Sequence, residues 1–444
     1  MSTSTKFIAR NTMNKYQASF LVRPMLTALL LGGIGEFLSS FEESHPWVGR
    51  AIPHFFFLPY TNDPEVAQII LSDIATAMMT VVSIVFAVLL MTLTLTSTQF
   101  SPRIIVAFVR DRVTQLTLGF FLGTFLYCLA ALAATKTGQH PFSPALTVLF
   151  AMLMALVCVA SLLFFINHIS KAVNVNFIVH KIARETESMI DATMPDKRET
   201  VKHEDYHKVD MDGEETEVLS IVSGYVRYIN AERLFLFAKR HNSRINVIRR
   251  VGHFVPEGVP LLTISKIAIT AELSTELRKA FELGPTRTLE NDIEFGILQI
   301  VDIALKAISP AVNDPSTAIT CIDQLSSILI RFASRENPQT MFYSSPGSLC
   351  LCVPWLGFER LVESAFEQIR LYSKSDVAVS LRLLRALSDI ASTLPADTSK
   401  IMLVEFGRLL VAGCSEKLGN EILKEMRARI ASLERLLEAD LQST

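Results

Sequence analysis

Along the first 170 residues, apolar positions come in long unbroken blocks. About 20 apolar residues in a helix cross about 30 Å of hydrocarbon. Four blocks reach that length, at about 20–41, 70–97, 116–134 and 144–166. They predict a four-helix transmembrane domain over residues 1–170. The first block is interrupted by Gly32, Gly33, Gly35 and Glu36, so Glu36 is expected near its outer end or facing protein.

After residue 170 the pattern changes to shorter periods. Asn174 to Ile190 has helical amphipathic spacing, and Pro195 to Glu217 is a polar linker within a 171–217 segment. A β-rich module is expected over 218–270. Val218 to Ile229 reads as a strand pair with Gly224 at its turn, Ala231 to Arg240 as a short helix, and Ile245 to Ile248 and Gly252 to Ile264 as further strands. Residues 271–444 are predicted to be a helical domain, with helices at Glu290–Ile308, Leu356–Tyr372, Val377–Thr393, Lys400–Val411 and Leu418–Leu441. Between Ser309-Pro310 and the next helix, Asp314 and Pro315 are the favoured residues for an N-cap and a first helical position. The fold class is therefore membrane α-helical, followed by a cytoplasmic α+β region made of a small barrel-like module and a helical bundle.

Charge adds an orientation. Lys6, Arg10, Lys15 and Arg23 precede the first block, Arg103, Arg110 and Arg112 lie between the second and third, and Lys171, Lys181 and Arg184 follow the fourth. The opposite loops carry only Arg50 and Lys136. Cytoplasmic loops hold the excess of Lys and Arg, which places both termini in the cytoplasm. The loop from Glu42 to Glu65 is rich in Pro and aromatic residues and is expected to form an interfacial belt. Charged residues are 19% of the chain and the net charge is -2, so no basic field invites nucleic acid. The six cysteines read as small buried hydrophobes rather than as a metal or disulfide framework.

Candidate chemistry begins in the second block. Asp73, Thr76, Thr80, Ser83, Ala87, Thr94 and Thr98 recur at steps of three and four, which puts small and hydroxylated side chains on one helix face. Such a face serves close helix packing, or it lines a polar path with Asp73 at the outer mouth. The stripe runs into Gln99-Phe100-Ser101-Pro102-Arg103, where Pro102 is expected to bend or end the helix. With Arg110 and Arg112, Arg103 then forms a basic collar at the inner mouth. The same arginines also satisfy the ordinary orientation signal and lipid-phosphate contacts.

In the cytoplasmic half, His203-Glu204-Asp205-Tyr206-His207 has the spacing of a zinc-protease helix. Its flanks offer no apolar stripe to bury such a helix, so no metal and no cofactor are assigned. Gly224-Tyr225-Val226 followed by Arg250 to Leu261 resembles the small barrels of biotinyl and lipoyl carriers and of membrane-fusion proteins. No Lys stands at the matching hairpin tip, which leaves a structural role. Arg287, Asp292, Asp302, Asn313 and Asp314 concentrate polar groups around the helix break near residue 310, as a small site or an interface.

Taken together, Thr98 to Arg103, Arg110 to Gln115 and Leu118 to Phe125 resemble a bacterial family known only as a predicted membrane protein with a domain of unknown function. A second block agrees: Arg287-Thr288, Asp292, Phe295-Gly296, Val301 to Ala304 and Ser309 to Ala318. The resemblance implies the four-helix plan and a bacterial inner membrane, and it implies no activity. With no nucleophile elbow or phosphate-cradling Gly loop, an enzyme is not expected. The leading expectation is a homo-oligomeric pore or channel for ions or small solutes. In it the second helix lines the path and the cytoplasmic region forms a vestibule. The alternative is a membrane-anchored sensor or scaffold whose cytoplasmic domain binds a protein or small ligand.

Overall fold

Each apolar block forms one helix, and the second runs past both ends of its block. In the computed structural model these are α1 (Val22–Ser44), α2 (Pro64–Gln99), α3 (Arg112–Ala134) and α4 (Ala145–Ala172). All four are long and apolar enough to span a bilayer. The structure describes residues 21–45, 63–99, 111–135, 142, 144–195, 215–265, 267, 269–344, 348–394, 398–414 and 419–443. The chain divides into two units, Met1–Asn174 and Val175–Thr444. The aromatic-rich 46–62 stretch and the His203–His207 motif lie outside the described residues.

In the first unit α3 is the most enclosed helix. Phe121, Tyr127, Cys128 and Ala131 on α3 are fully buried. They pack with Leu71, Ala75, Met78 and Val82 of α2 and with Val148, Ala151, Cys158 and Phe165 of α4. Two of the glycines that seemed to weaken the first block, Gly32 and Gly35, make its contact with α3. A Cβ on Gly35 would stand 2.9 Å from the Tyr127 carbonyl oxygen, and one on Gly119 of α3 would stand 2.9 Å from the Pro24 Cα. Small residues at such positions let helix backbones approach. Glu36 is exposed and does not face protein within the chain. The outward surfaces carry Leu29, Leu30, Leu90, Met91, Leu156 and Leu163, each more than half exposed, a lipid-facing coat rather than a water-facing one. At 36 residues α2 is about 54 Å long, so its ends extend beyond the hydrocarbon layer.

The second unit opens with the amphipathic α5 (Val175–Thr193). It continues through β1 (Glu215–Leu219), β2 (Gly224–Ile229), α6 (Ala231–Arg240), β3 (Arg244–Val247), β4 (Phe254–Val255), β5 (Pro260–Ser265), α7 (Ala271–Arg278) and β6 (Phe281–Gly284). Then follow α8 (Ile293–Ala307), α9 (Pro315–Ala333), β7 (Met341–Ser344), β8 (Ser348–Cys352) and the helices α10 (Phe358–Tyr372), α11 (Val377–Ala391), α12 (Thr398–Cys414) and α13 (Asn420–Ser443). The strands make two small sheets, ordered β1-β5-β3-β8-β7 and β4-β2-β6.

The expected barrel does not close among the described residues. β1 and β2 do not pair with each other: β1 lies along β5, with Val218 opposite Leu262, while β2 lies between β4 and β6. Nor is the module confined to 218–270. β8 joins β3 in parallel, Ile245 opposite Leu351, and brings Leu351 and Cys350 into the module's core. A strand from far downstream thus extends the sheet beyond β3. The helices beyond form a bundle around Ile297, Ile300, Ile322, Leu325, Leu361, Phe366, Leu383 and Leu387, all fully buried.

Candidate functional sites

The polar stripe of α2 faces away from the bundle core. Leu71, Ala75, Met78, Val82 and Val85 occupy the buried face. Asp73, Thr76, Thr80, Ser83, Ala87 and Thr94 are all exposed. The hydroxyls of Thr80, Ser83 and Thr94 donate to the carbonyls of Thr76, Met79 and Leu90 at 3.1, 2.9 and 2.9 Å. Each therefore satisfies its proton one turn back and turns its oxygen lone pairs outward. The space between α2, α3 and α4 is filled by Phe121, Tyr127 and Phe165, so the stripe lines no interior of a single chain. The Thr98 and Gln99 side chains and Phe100, Ser101, Pro102, Arg103 and Arg110 lie outside the described residues.

Arg112 is exposed as the first residue of α3. Beside it, Asp111 caps the helix, accepting the Thr114 N–H at 2.9 Å and hydroxyl at 2.6 Å. The same carboxylate meets His168 Nε2 of α4 at 2.9 Å, joining the start of one span to the end of another. Burial works to raise the Asp111 pKa, but the Thr114 and His168 hydrogen bonds outweigh it and hold the carboxyl below its ordinary range.

The polar cluster expected around the helix break separates into two places. Arg287 and Asp292 meet before α8: Nε and Nη2 of Arg287 donate to the two Asp292 oxygens at 2.6 and 2.7 Å. Asp292 also caps α8 through the Phe295 N–H at 3.1 Å. Asn313 and Asp314 lie beyond the other end of α8, a 15-residue helix about 22 Å long. Asp314 caps α9 as expected, accepting the Thr317 N–H at 3.1 Å and hydroxyl at 2.6 Å, with Pro315 at the first position. Asn313 turns the chain with φ 51° and is exposed. Asp302 is half-buried between these ends.

The Arg287 end is the richer site. Glu294 is 7% exposed at its side chain and accepts Arg287 Nη2 and Arg250 Nη2, each at 3.0 Å. Ser364 of α10 donates to its other oxygen at 3.1 Å. Burial favours the neutral acid, yet the Arg250 and Arg287 charges prevail and hold Glu294 below the usual carboxylate range. Gly252 sits against this network with φ 90°, and a Cβ there would stand 2.7 Å from both Arg287 Nη2 and an Asp292 oxygen. Only glycine takes that backbone conformation without strain while leaving room for the pair. Around Arg249, Arg250, His253, Arg287 and Arg360 opens a cleft of about 540 Å³. Among the described residues, no cluster of three His, Cys, Asp or Glu side chains is placed to hold a metal.

Residues 17–389 match the family described as "Predicted membrane protein (DUF2254)". The chain belongs to this family. With its four candidate spans, it is a membrane protein with transmembrane helices. It is 28% identical over 369 residues to an uncharacterized protein of Mycobacterium tuberculosis and, to the same degree, to one of Mycobacterium bovis. Each match covers 81% of this chain and 70% of the relative. No solved structure matches the chain.

Within this family member, sequence reasoning missed Arg249, Arg250, His253, Glu294 and Arg360. Glu294 left a signal: an acid inside the apolar repeat of α8 is a buried charge that needs partners. Arg250 and His253 stand inside the Arg250 to Leu261 stretch that resembles the carrier barrels, and Arg249 directly precedes it.

Proposed function

We propose that copies of this chain assemble in a bacterial inner membrane around the polar face of α2 and enclose a path for ions or small solutes. The Val175–Thr444 unit and both termini stand on the cytoplasmic side, and no catalytic step is assigned. One observation carries the reading. The stripe with Asp73, Thr76, Thr80, Ser83 and Thr94 is exposed opposite the packed face of α2, and an ionisable Asp73 beside a span favours a second copy or water over lipid there. The outward lone pairs of its hydroxyls suit the passage of hydrated solutes. The Lys and Arg distribution supports the orientation.

The test is ion flux from liposomes holding the purified full chain. Flux above empty liposomes is expected, and Thr80→Leu or Ser83→Leu should lower it. A wild-type protein that folds, inserts and passes nothing ends the pore reading.

A further inference from the structure

We propose that the cleft between the 249–254 loop and α10 binds an organic phosphate. The inference gives the sensor alternative a place and a chemistry, and it holds whether or not the chain conducts.

The argument begins with how the cleft's charges are distributed. Asp292 and Glu294 engage Arg287, and Glu294 also engages Arg250. Arg360 of α10 is met by Glu363 at 2.6 Å and only loosely by Glu294 at 3.8 Å. Arg249 is left over: no carboxylate among the described residues pairs with it. Among the described residues its buried Nε has no hydrogen-bond partner, and neither has the buried Nδ1 of His253. Burying such groups without partners costs free energy. Both residues line the cleft, beside whatever fills it.

Arg249, Arg250, Arg287 and Arg360 line the cleft with Glu294, Glu363 and Glu367, and Glu367 is held by Arg370 at 2.6 Å. Burial lowers the His253 pKa, and the Arg250 and Arg249 charges lower it further against the opposing pull of Glu294. The Glu294 bridge also fixes two guanidinium groups before any ligand arrives, which reduces the ordering cost of binding. Guanidinium groups reaching the cleft from the loop, from before α8 and from α10 suit the several oxygens of a phosphate group better than one planar carboxylate.

Size and shape ask for more than a bare ion. The cleft's volume of about 540 Å³ is that of a small-molecule site. Phe254, the first residue of β4, lines it while 51% exposed, its ring held edge-on by Tyr225 at 5.1 Å. That ring offers a face to a flat or apolar part of the ligand, with the phosphate inside against Arg249 and His253.

Isothermal titration of the full-length protein in detergent tests this, with ATP in one arm and inorganic pyrophosphate in the other. Both should bind, ATP the tighter. Arg249→Gln should weaken both by about ten-fold, the loss of one charge-assisted contact. Phe254→Ala should bring ATP down to the pyrophosphate affinity. Arg360→Gln removes a side chain that is 58% exposed, so it tests the site without threatening the fold, and it should also weaken both probes. Arg240→Gln, 71% exposed and outside the cleft, should leave both unchanged. Absence of heat with either probe at millimolar concentration overturns the proposal, as does wild-type affinity in both Arg249→Gln and Arg360→Gln. Equal affinity for the two probes overturns the organic part.

Discussion

Glu42 and Thr147 meet twice although 105 residues separate them: Oε2 of Glu42 accepts both the backbone N–H and the hydroxyl of Thr147, each at 3.2 Å. Its other oxygen accepts the Leu146 N–H at 2.9 Å. The residue before α4 is Pro144, whose side chain caps nothing, so the end of α1 supplies the cap that α4 lacks. A buried carboxylate thus sits on the positive end of a helix, where free N–H groups and the helix dipole both favour it.

Replacing that carboxylate should therefore loosen the α1–α4 contact. Glu42→Leu leaves two N–H groups buried without acceptors and should cost about 1–3 kcal/mol. Glu42→Gln keeps one acceptor oxygen and should cost less. Thermal unfolding in detergent measures both. Equal melting of Glu42→Leu and wild type would show that the cap contributes nothing.

Gly33 and Gly35 should respond oppositely to the same change. A Cβ on Gly33 meets nothing within 4 Å, so Gly33→Ala gains helix propensity and should stabilise by up to about 1 kcal/mol. A Cβ on Gly35 meets the Tyr127 backbone oxygen at 2.9 Å, and backbone gives way poorly. Gly35→Ala should destabilise by about 1–3 kcal/mol through overpacking. The order of the two melting temperatures is the readout.

Glu294 should set part of the acid sensitivity of the Val175–Thr444 unit. Its folded pKa lies below the ordinary value, so its contribution is fully present above about pH 4.3, the ordinary glutamate value, and is lost as pH falls through the folded pKa. Glu294→Gln leaves Arg250 and Arg287 short of counter-charge and should cost about 3 kcal/mol at neutral pH. Wild type and variant should then converge as pH falls through the folded pKa of Glu294. Asp111, Asp191, Asp314 and Glu367 also carry lowered values, so the difference between the two proteins, rather than either curve, reports on Glu294.

What could be read in advance follows the range of the interactions. The four spans and the Asp314-Pro315 start of α9 were legible because apolar length and capping act within one helix. α6 matches its expected bounds, Ala231 to Arg240, because its amphipathic spacing is self-contained. The Glu42 cap was not legible, since nothing near Glu42 in the chain names Thr147. β8 was invisible for the same reason: Ser348–Cys352 becomes a strand by pairing with Ile245 and Asn246. Spacing also found the α2 stripe but not its direction, which depends on the side from which α3 and α4 pack.

That direction makes the assembly testable without transport. If copies meet along the stripe, a cysteine on it should lie near its counterpart across the interface. The native Cys128 and Cys158 are buried in the bundle and do not compete at the surface of the spans. Thr80→Cys and Ser83→Cys should form intermolecular disulfides in membranes under mild oxidation. Leu156→Cys, on α4 and 68% exposed, faces lipid and should not. Val82→Cys, buried against α3 and α4, should not either. Dimers trapped equally from position 156 and position 83 would mean random collision. Dimers from position 156 alone would move the interface to α4 and leave the stripe facing lipid, with its hydroxyls satisfied one turn back.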